Sequence, residues 1–250
     1  MYKGQKIIAT IEARMKSTRL PGKVLLPLAG IPTLLLLVRR MRHSRYLDDI
    51  VVATTVDKAD DAIVKLCEAS RITVFRGSEL DVLSRVLGAA RSAQADIIVE
   101  ITGDCPLVSG ELIDRGIAEF FKKTVAYASN DLEASFPVGL SVQVFPLKVL
   151  AQVDSLTNDP IDRAHVSYYI YTHPETFALS KWMAHDDERA PDLRLTLDEE
   201  ADYKVLSAVF DRFKASAESF TVAEAVAYLR ERKDIAILNK QVRQKDANEG

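Results

Sequence analysis

Cysteine, tryptophan and long apolar runs are scarce in this 250-residue chain, which holds two cysteines and one tryptophan. Cys67 and Cys105 are too few for a disulfide framework or an all-cysteine zinc site. The longest apolar stretch, Leu34–Val38, falls far short of the roughly 20 residues that span a bilayer, so no membrane partner is expected. The opening residues, MYKGQKIIATIEAR, carry neither an apolar core nor a small-residue cleavage site, which predicts no secretion signal and a cytoplasmic location. A basic excess is also missing: 33 Lys+Arg against 36 Asp+Glu leave a net charge of −3. That balance argues against a general nucleic-acid binder. Several catalytic signatures are absent. His43, His165, His173 and His185 show no HExxH spacing, and no serine sits in a G-x-S-x-G elbow. Cys105 has no C-x-x-C partner and no neighbouring histidine to activate it, so it reads as a small strand-end residue. No GxxxxGK[ST] and no GxGxxG after a strand is present, which excludes a P-loop and an ordinary dinucleotide site.

What is present is the composition of a globular protein, with 48% hydrophobic and 28% charged residues. At this length a folded chain buries roughly 70–75% of its unfolded surface. The first half alternates strand-like and helix-like segments. Strands are predicted over Lys6–Ile11, Asp49–Thr55, Ile72–Phe75 and Asp96–Thr102. Helices are predicted over Pro32–His43, Lys58–Ser70 and Glu79–Ala93, the last capped by Ser78. Such alternation predicts βαβ units and a mostly parallel sheet with helices on both faces. The second half is less regular. Strands are expected over Ser141–Phe145, Thr176–Trp182 and Leu193–Leu197. Helices are expected over Asp162–Thr172, Glu199–Phe213 and Val222–Arg232, the last with a Thr221/Glu224 capping box. One domain over 1–239 is the simplest organisation, with an excursion around 125–195 forming a lid or dimer arm. The polar tail 240–250 is expected to fray.

Ligands of open α/β sheets bind beyond the carboxyl ends of the strands, and four sequence features fall there. Arg14, Lys16, Arg19 and Lys23 follow the first strand, interleaved with Ser17, Thr18 and Gly22. They suit a triphosphate, which Arg and Lys bind through charge-assisted hydrogen bonds. The plain alternative is a solvated basic loop. Gly103-Asp104-Cys105-Pro106 follows the fourth strand, and a carboxylate there suits Mg²⁺ beside a phosphate. Its alternative is a turn cap. Asp198, closing Arg194–Asp198, is a second candidate ligand or the N-cap of the following helix. Arg76–Arg85 leads into a helix N-terminus with side chains able to read a base or bind phosphate, although Arg85 could simply pair with Asp81.

The segment A-R-M-x-S-T-R-L-P-G-K at Ala13–Lys23 resembles the signature of the cytidylyltransferases that activate sugar acids as CMP-sugars. The closer resemblance is to the branch named after spore coat polysaccharide biosynthesis protein F. It rests on Val52-Ala53-Thr54, Arg76–Arg85, Ile101–Pro106, Arg163–Val166 and Arg194–Asp198, in order, over roughly residues 6–210. The resemblance implies a Rossmann-like fold of the nucleotide-diphospho-sugar transferase type and a CTP-dependent transfer of CMP to a sugar acid, for a surface polysaccharide or glycan. It implies a nucleotide site of Ala13, Arg14, Ser17, Arg19, Lys23, Thr54, Arg76, Ser78, Asp81 and Arg85. Arg14, Lys23 and Asp104 are the implied catalytic residues, and Asp104 and Asp198 the implied Mg²⁺ ligands. A homodimer is implied as well.

Three departures from the branch stand out. Glu100 replaces an arginine. Ser141 and Gln143 replace two acids. Ala164, Ser167 and Tyr168 interrupt the usual wording around His165. All three fall where the acceptor should sit, and Asn130, Gln143 and His165 are the acceptor-side candidates. A transferase acting on a sugar 1-phosphate or alcohol phosphate, and a non-catalytic nucleotide-binding relative, are the alternatives.

Overall fold

The computed structural model describes residues 1–244. Nine strands and ten α-helices follow in chain order among these residues. They are β1 (Ile7–Glu12), β2 (Pro27–Leu28), β3 (Ile31–Pro32), α1 (Thr33–Met41), β4 (Asp49–Thr55), α2 (Asp61–Ala69), β5 (Thr73–Gly77), α3 (Val82–Ser92), β6 (Ile97–Thr102) and α4 (Gly110–Lys122). Then come β7 (Tyr127–Ser129), β8 (Gln143–Pro146), α5 (Leu147–Leu156), α6 (Pro160–Ala164), α7 (Tyr168–Thr172), β9 (Leu179–Lys181), α8 (Glu200–Arg212), α9 (Val222–Glu231) and α10 (Lys233–Ala236). Seven strands form one sheet in the order β5-β4-β1-β6-β8-β7-β9, and β2 and β3 form a small hairpin. The first four strands of the sheet are mutually parallel, and β8 runs antiparallel to both of its neighbours. The fold is therefore the expected α/β class with a mostly parallel sheet.

The β-branched runs of β1, β4 and β6 are buried on both faces, as parallel strands between helix layers must be. Odd-numbered β1 residues Ile7, Ala9 and Ile11 join a core with α1, α2, α4, α8 and α9. Ile8 joins the opposite core, which α3, α5 and α7 cover. From β1 the chain moves outward to β4 and β5, then returns to place β6 on the other side of β1. The β1–β6 boundary is thus the switch point at which a ligand crevice opens in such sheets.

The segment 125–195 contributes β7, β8 and β9 to the main sheet rather than standing apart from it. Several local expectations are corrected. Leu193–Leu197 forms no strand. Its amides bond two different segments, Leu195 to Val138 and Leu197 to Asp104, so no continuous ladder can grow. The helix expected over Asp162–Thr172 is broken between α6 and α7 at Val166, whose φ of 39° is an outlier for a β-branched residue. α3 starts three residues later than expected. Its cap is Asp81, which accepts from the Ser84 amide at 2.9 Å, while Ser78 Oγ accepts from the Asp81 amide at 3.0 Å. α8 is capped by Glu199 in a box with Asp202, not by Asp198. α4 and α5 were not expected; α4 contains Gly110 and Gly116, poor helix formers by propensity. The Thr221/Glu224 box is present. Within the expected tail, Gln244 Oε1 accepts from Arg194 at 2.6 Å. Residues 245–250 lie outside the described residues.

Candidate active site

The loop after β1 lies across the carboxyl ends of the sheet. Gly22, at φ 74°, turns it into a short 3-10 helix that begins with Lys23. The buried Asp60 carboxylate accepts from the Met15 amide at 2.7 Å and from the Thr55 amide and hydroxyl, which pins the loop to the end of β4. Each of the four cations meets an acid from a different stretch of chain. Lys16 bonds Asp57. Arg14 lies 3.6 Å from Glu79, and Arg19 lies 3.0 Å from Asp198 and 3.5 Å from Glu199. Ser17 Oγ accepts from the Leu20 amide at 3.3 Å and shapes the loop. Ala13 is buried at the loop's start.

Lys23 is the centre of the arrangement. Its ammonium donates to Asp104 at 2.7 Å and to Asp198 at 2.9 Å. Two backbone contacts explain how these distant acids meet. The Asp104 carbonyl accepts from the Leu197 amide at 2.8 Å and from the Thr196 hydroxyl at 3.2 Å. Gly139, at φ 101°, lets the neighbouring segment close on this one, since a Cβ there would lie 2.5 Å from the Thr196 nitrogen. Asp198 is then oriented by Arg194, which donates to it at 2.6 Å and to the buried Asp202 at 3.0 Å. Asn239 donates to the same Asp202 at 2.9 Å. Burial acts to raise the Asp104 pKa, but the charge and hydrogen bond of Lys23 outweigh it and hold the carboxyl below its usual range. Burial likewise acts to lower the Lys23 pKa, and the two carboxylates more than reverse this. Lys23 and Asp104 are therefore both charged at neutral pH. Burial and the Asp104 charge push the Cys105 thiol far up, which leaves it an inert neighbour.

The Arg76–Arg85 segment is placed differently. Arg76 donates to the Thr55 and Asp57 carbonyls and to Asp61 Oδ1, and so braces the β4–α2 connection. Asp81 caps α3 and binds Arg163 at 2.5 and 3.0 Å. Arg85 does not pair with Asp81; it is buried and donates to the Ser78 and Glu79 carbonyls. Thr54 is wholly buried, and its hydroxyl has no partner. Glu79, which the sequence did not single out, joins this segment to the loop through Arg14.

Beside the cationic centre, across β1 and β6, lies a cavity of about 500 Å³. Glu12, Glu100, Tyr127, Gln143, His165 and Ser167 are among its lining residues. Gln143 Oε1 accepts from Tyr127 at 2.5 Å and from Ser167 at 2.6 Å. Asn130 is not part of this lining; its amide is occupied by the Leu140 carbonyl and the Val142 amide, both at 2.8 Å. Of the acceptor-side candidates, Gln143 and His165 line this cavity and Asn130 does not; Glu12, Asp60 and Asp202 were not singled out in the sequence. An acid within a largely apolar strand run is the signal that could have found Glu12. Glu12 ends the largely apolar β1, and Glu100 lies inside the largely apolar β6.

For Mg²⁺, the observation to weigh is two carboxylates converging on one cationic centre. Among the described residues no group of three or more His, Cys, Asp or Glu could hold a metal by itself. Two hard oxygen ligands left to be completed by substrate phosphates are what Mg²⁺ ordinarily accepts, so Asp104 and Asp198 fit.

Comparison with known proteins places the chain. The family described as Cytidylyltransferase matches residues 8–244. An uncharacterised protein of Methanocaldococcus jannaschii is 37% identical over 244 residues, covering 98% of both chains. The spore coat polysaccharide biosynthesis protein SpsF of Bacillus subtilis is 33% identical over 235 residues, covering 92% of this chain and 96% of SpsF. Among solved structures, a cytidylyltransferase from Leptospira borgpetersenii superposes with a TM-score of 0.88 at 29% identity, over 97% of this chain and 99% of that one. The chain belongs to the cytidylyltransferase family and is a CTP-dependent nucleotidyltransferase.

Proposed function

We propose that the chain transfers CMP from CTP to a hydroxyl of a sugar acid, releasing pyrophosphate, in the synthesis of a surface polysaccharide or glycan. The observation that carries this reading is the Lys23 ammonium held between Asp104 and Asp198 at the β1–β6 switch point. Arg14, Ser17, Arg19 and Lys23 hold the triphosphate. Their present acidic partners are side chains that incoming phosphates replace. The acceptor hydroxyl forms its bond to the α-phosphorus as the bond to pyrophosphate breaks, and its proton passes to solvent. Lys23 and Arg14 stabilise the charge that develops on the phosphoryl oxygens and the leaving group. Asp104 and Asp198 would hold Mg²⁺, which when bound supplies charge neutralisation to the phosphates. Arg194 and Asp202 fix the Asp198 carboxylate. Arg76, Ser78, Asp81 and Arg85 act one step back, by shaping the loops around the nucleotide.

The test is pyrophosphate release on mixing the chain with CTP, Mg²⁺ and a panel of sugar acids, with UTP, GTP and ATP in parallel. Release that requires CTP, Mg²⁺ and an acceptor is the expected result. Failure of CTP to bind, or release indifferent to the acceptor, would overturn the reading. A sugar 1-phosphate as the preferred acceptor would replace it with the alternative transferase. The resemblance also supports a homodimer, for which the edge strand β9 and the 131–142 segment are the surfaces on offer. One chain per particle by light scattering would rule that out.

A further inference from the structure

The cavity beside the centre is acidic where a site for a carboxylate would be basic. Glu12, at the end of β1, and Glu100, on β6, lie on neighbouring parallel strands and point into the same face, Glu12 beside Thr102 and Glu100 beside Thr10 in register. Both line the cavity, and Glu100 is only 3% exposed. The two carboxyls hydrogen-bond each other, Ser167 also hydrogen-bonds Glu100, and Glu12 Oε1 and Glu100 Oε2 are buried without any other donor. Asp131 adds a third acid to the lining. Among the described residues the lining holds no lysine and no arginine. Arg85 is the one cation whose charge acts on Glu12, and its guanidinium donates to the Ser78 and Glu79 carbonyls. Buried charges in folded proteins are paired, and this pair has no cationic partner of its own in the pocket.

We propose that Glu12 and Glu100 form a subsite for a ligand ammonium group, so that the acceptor is an amino-substituted sugar acid. This rests on the function proposed above and narrows it. The amine enters the pocket, and the acceptor's carboxylate is left to the cationic side of β1. The Tyr127, Ser167 and Gln143 cluster supplies polar contacts for the sugar hydroxyls. Burial, and then the charge of its neighbour, holds Glu100 well above the ordinary carboxyl range. Burial raises Glu12 to about 7 against the opposing charge of Arg85. In the free enzyme the pair therefore keeps a proton at neutral pH, and an arriving ammonium displaces it. His165, Tyr127, Tyr171 and Asp131 are the other titratable groups around the pocket, with Asp104 acting on Glu12 from the cationic side.

The test uses four probes on one carbon skeleton: D-glucosamine, D-glucose, D-glucosaminate and D-gluconate. Each is titrated calorimetrically into the full chain, and CTP with Mg²⁺ is titrated separately. The ammonium-bearing member of each pair is expected to bind about tenfold or more tighter than its deaminated counterpart, the effect of one charge-assisted hydrogen bond. Its binding should release protons, measured in two buffers of different ionisation enthalpy, and should weaken in the wild-type chain as pH falls below about 7. Glu100→Gln should erase the preference while leaving CTP binding unchanged. Equal binding within each pair, binding of no probe, or preference for gluconate overturns the subsite. So does a Glu100→Gln variant that lowers kcat alike on every acceptor without changing the preference, because the pair would then act on the hydroxyl. CTP binding without amine preference removes only this inference; amine preference without CTP binding removes only the function proposed above.

Discussion

The two sides of the β1–β6 boundary carry opposite charge. On one side, residues that directly follow β1 supply Arg14, Lys16, Arg19 and Lys23. On the other, Glu12 and Glu100 face a cavity lined without a single lysine or arginine among the described residues. Glu12 and Ala13 are adjacent in sequence, yet one faces the acid pocket and the other opens the cationic loop. The end of a β-strand makes this possible, since successive side chains point to opposite faces. Each side has its own kind of instability. The cations are matched to acids from four separate stretches, which phosphates can replace. The acids have each other, a Ser167 hydrogen bond and the charge of Arg85, but no lysine or arginine in the cavity lining. The comparison teaches that the nucleotide side is built for exchange of one anion for another, and the acceptor side for capture of a cation.

Breaking the cationic side should have the largest effect. Asp104→Asn is expected to reduce Mg²⁺-dependent pyrophosphate release to background, and normal turnover at low Mg²⁺ would remove Asp104 from the metal site. Lys23→Ala should lower kcat by about a hundredfold or more, the scale of losing one preorganised donor to developing charge. A steady-state rate equal to wild type would separate Lys23 from the chemistry. Next in size is the support beneath Asp198. Asp202→Ala removes one partner of the buried Arg194 ion pair, and should cost about 3–5 kcal/mol in denaturant unfolding. A loss under about 1 kcal/mol would show Arg194 to be well satisfied without it.

The acid pocket predicts a pH dependence of opposite sign to an ordinary salt bridge. Glu12 and Glu100 are held above the usual carboxyl range, so the folded chain keeps protons that the unfolded chain has lost. The Glu12 contribution to stability is complete below the unfolded pKa of about 4.5 and is lost as pH rises through about 7, and that of Glu100 is lost as pH rises through the raised pKa of that group. Glu100→Gln should therefore raise the Tm relative to wild type at about pH 8 and change it little at about pH 5. A variant less stable than wild type at the higher pH would break the contrast between the two sides. The smallest effect belongs to the helix cap next door. Asp81→Ala loses the α3 cap and the Arg163 pair, and about 1–2 kcal/mol of stability should go with it. CTP affinity should change less than for Arg19→Ala, and the reverse order would return Asp81 to the nucleotide site.

The parts legible in the sequence are those whose cause is local. Buried parallel strands announce themselves as β-branched runs, and β4 matches its expected bounds, Asp49–Thr55. The cationic loop is contiguous, and its place after the first strand turned the reading of its charges toward phosphate. Residue 193–197 looked like a strand because its alternation is real, but its amides serve two different segments. The 162–172 helix had the right pattern, and no pattern reveals the turn at Val166 that separates His165 from Ser167. Asn130 was an acceptor-side candidate from the region that the resemblance turns toward the acceptor; in the structure its amide holds the Leu140 carbonyl and the Val142 amide.

By itself the sequence determined the fold class, the position of the cationic loop after the first strand and the identity of the two acids that share Lys23, since periodicity and residue chemistry are written along the chain. Only the tertiary structure decided that Asp104 and Asp198 meet, that Asp81 and Arg76 brace loops, and that Glu12 and Glu100 become one buried pair. Those outcomes depend on strand register and on which segments exchange backbone hydrogen bonds, and such long-range pairings leave no local trace in the order of residues.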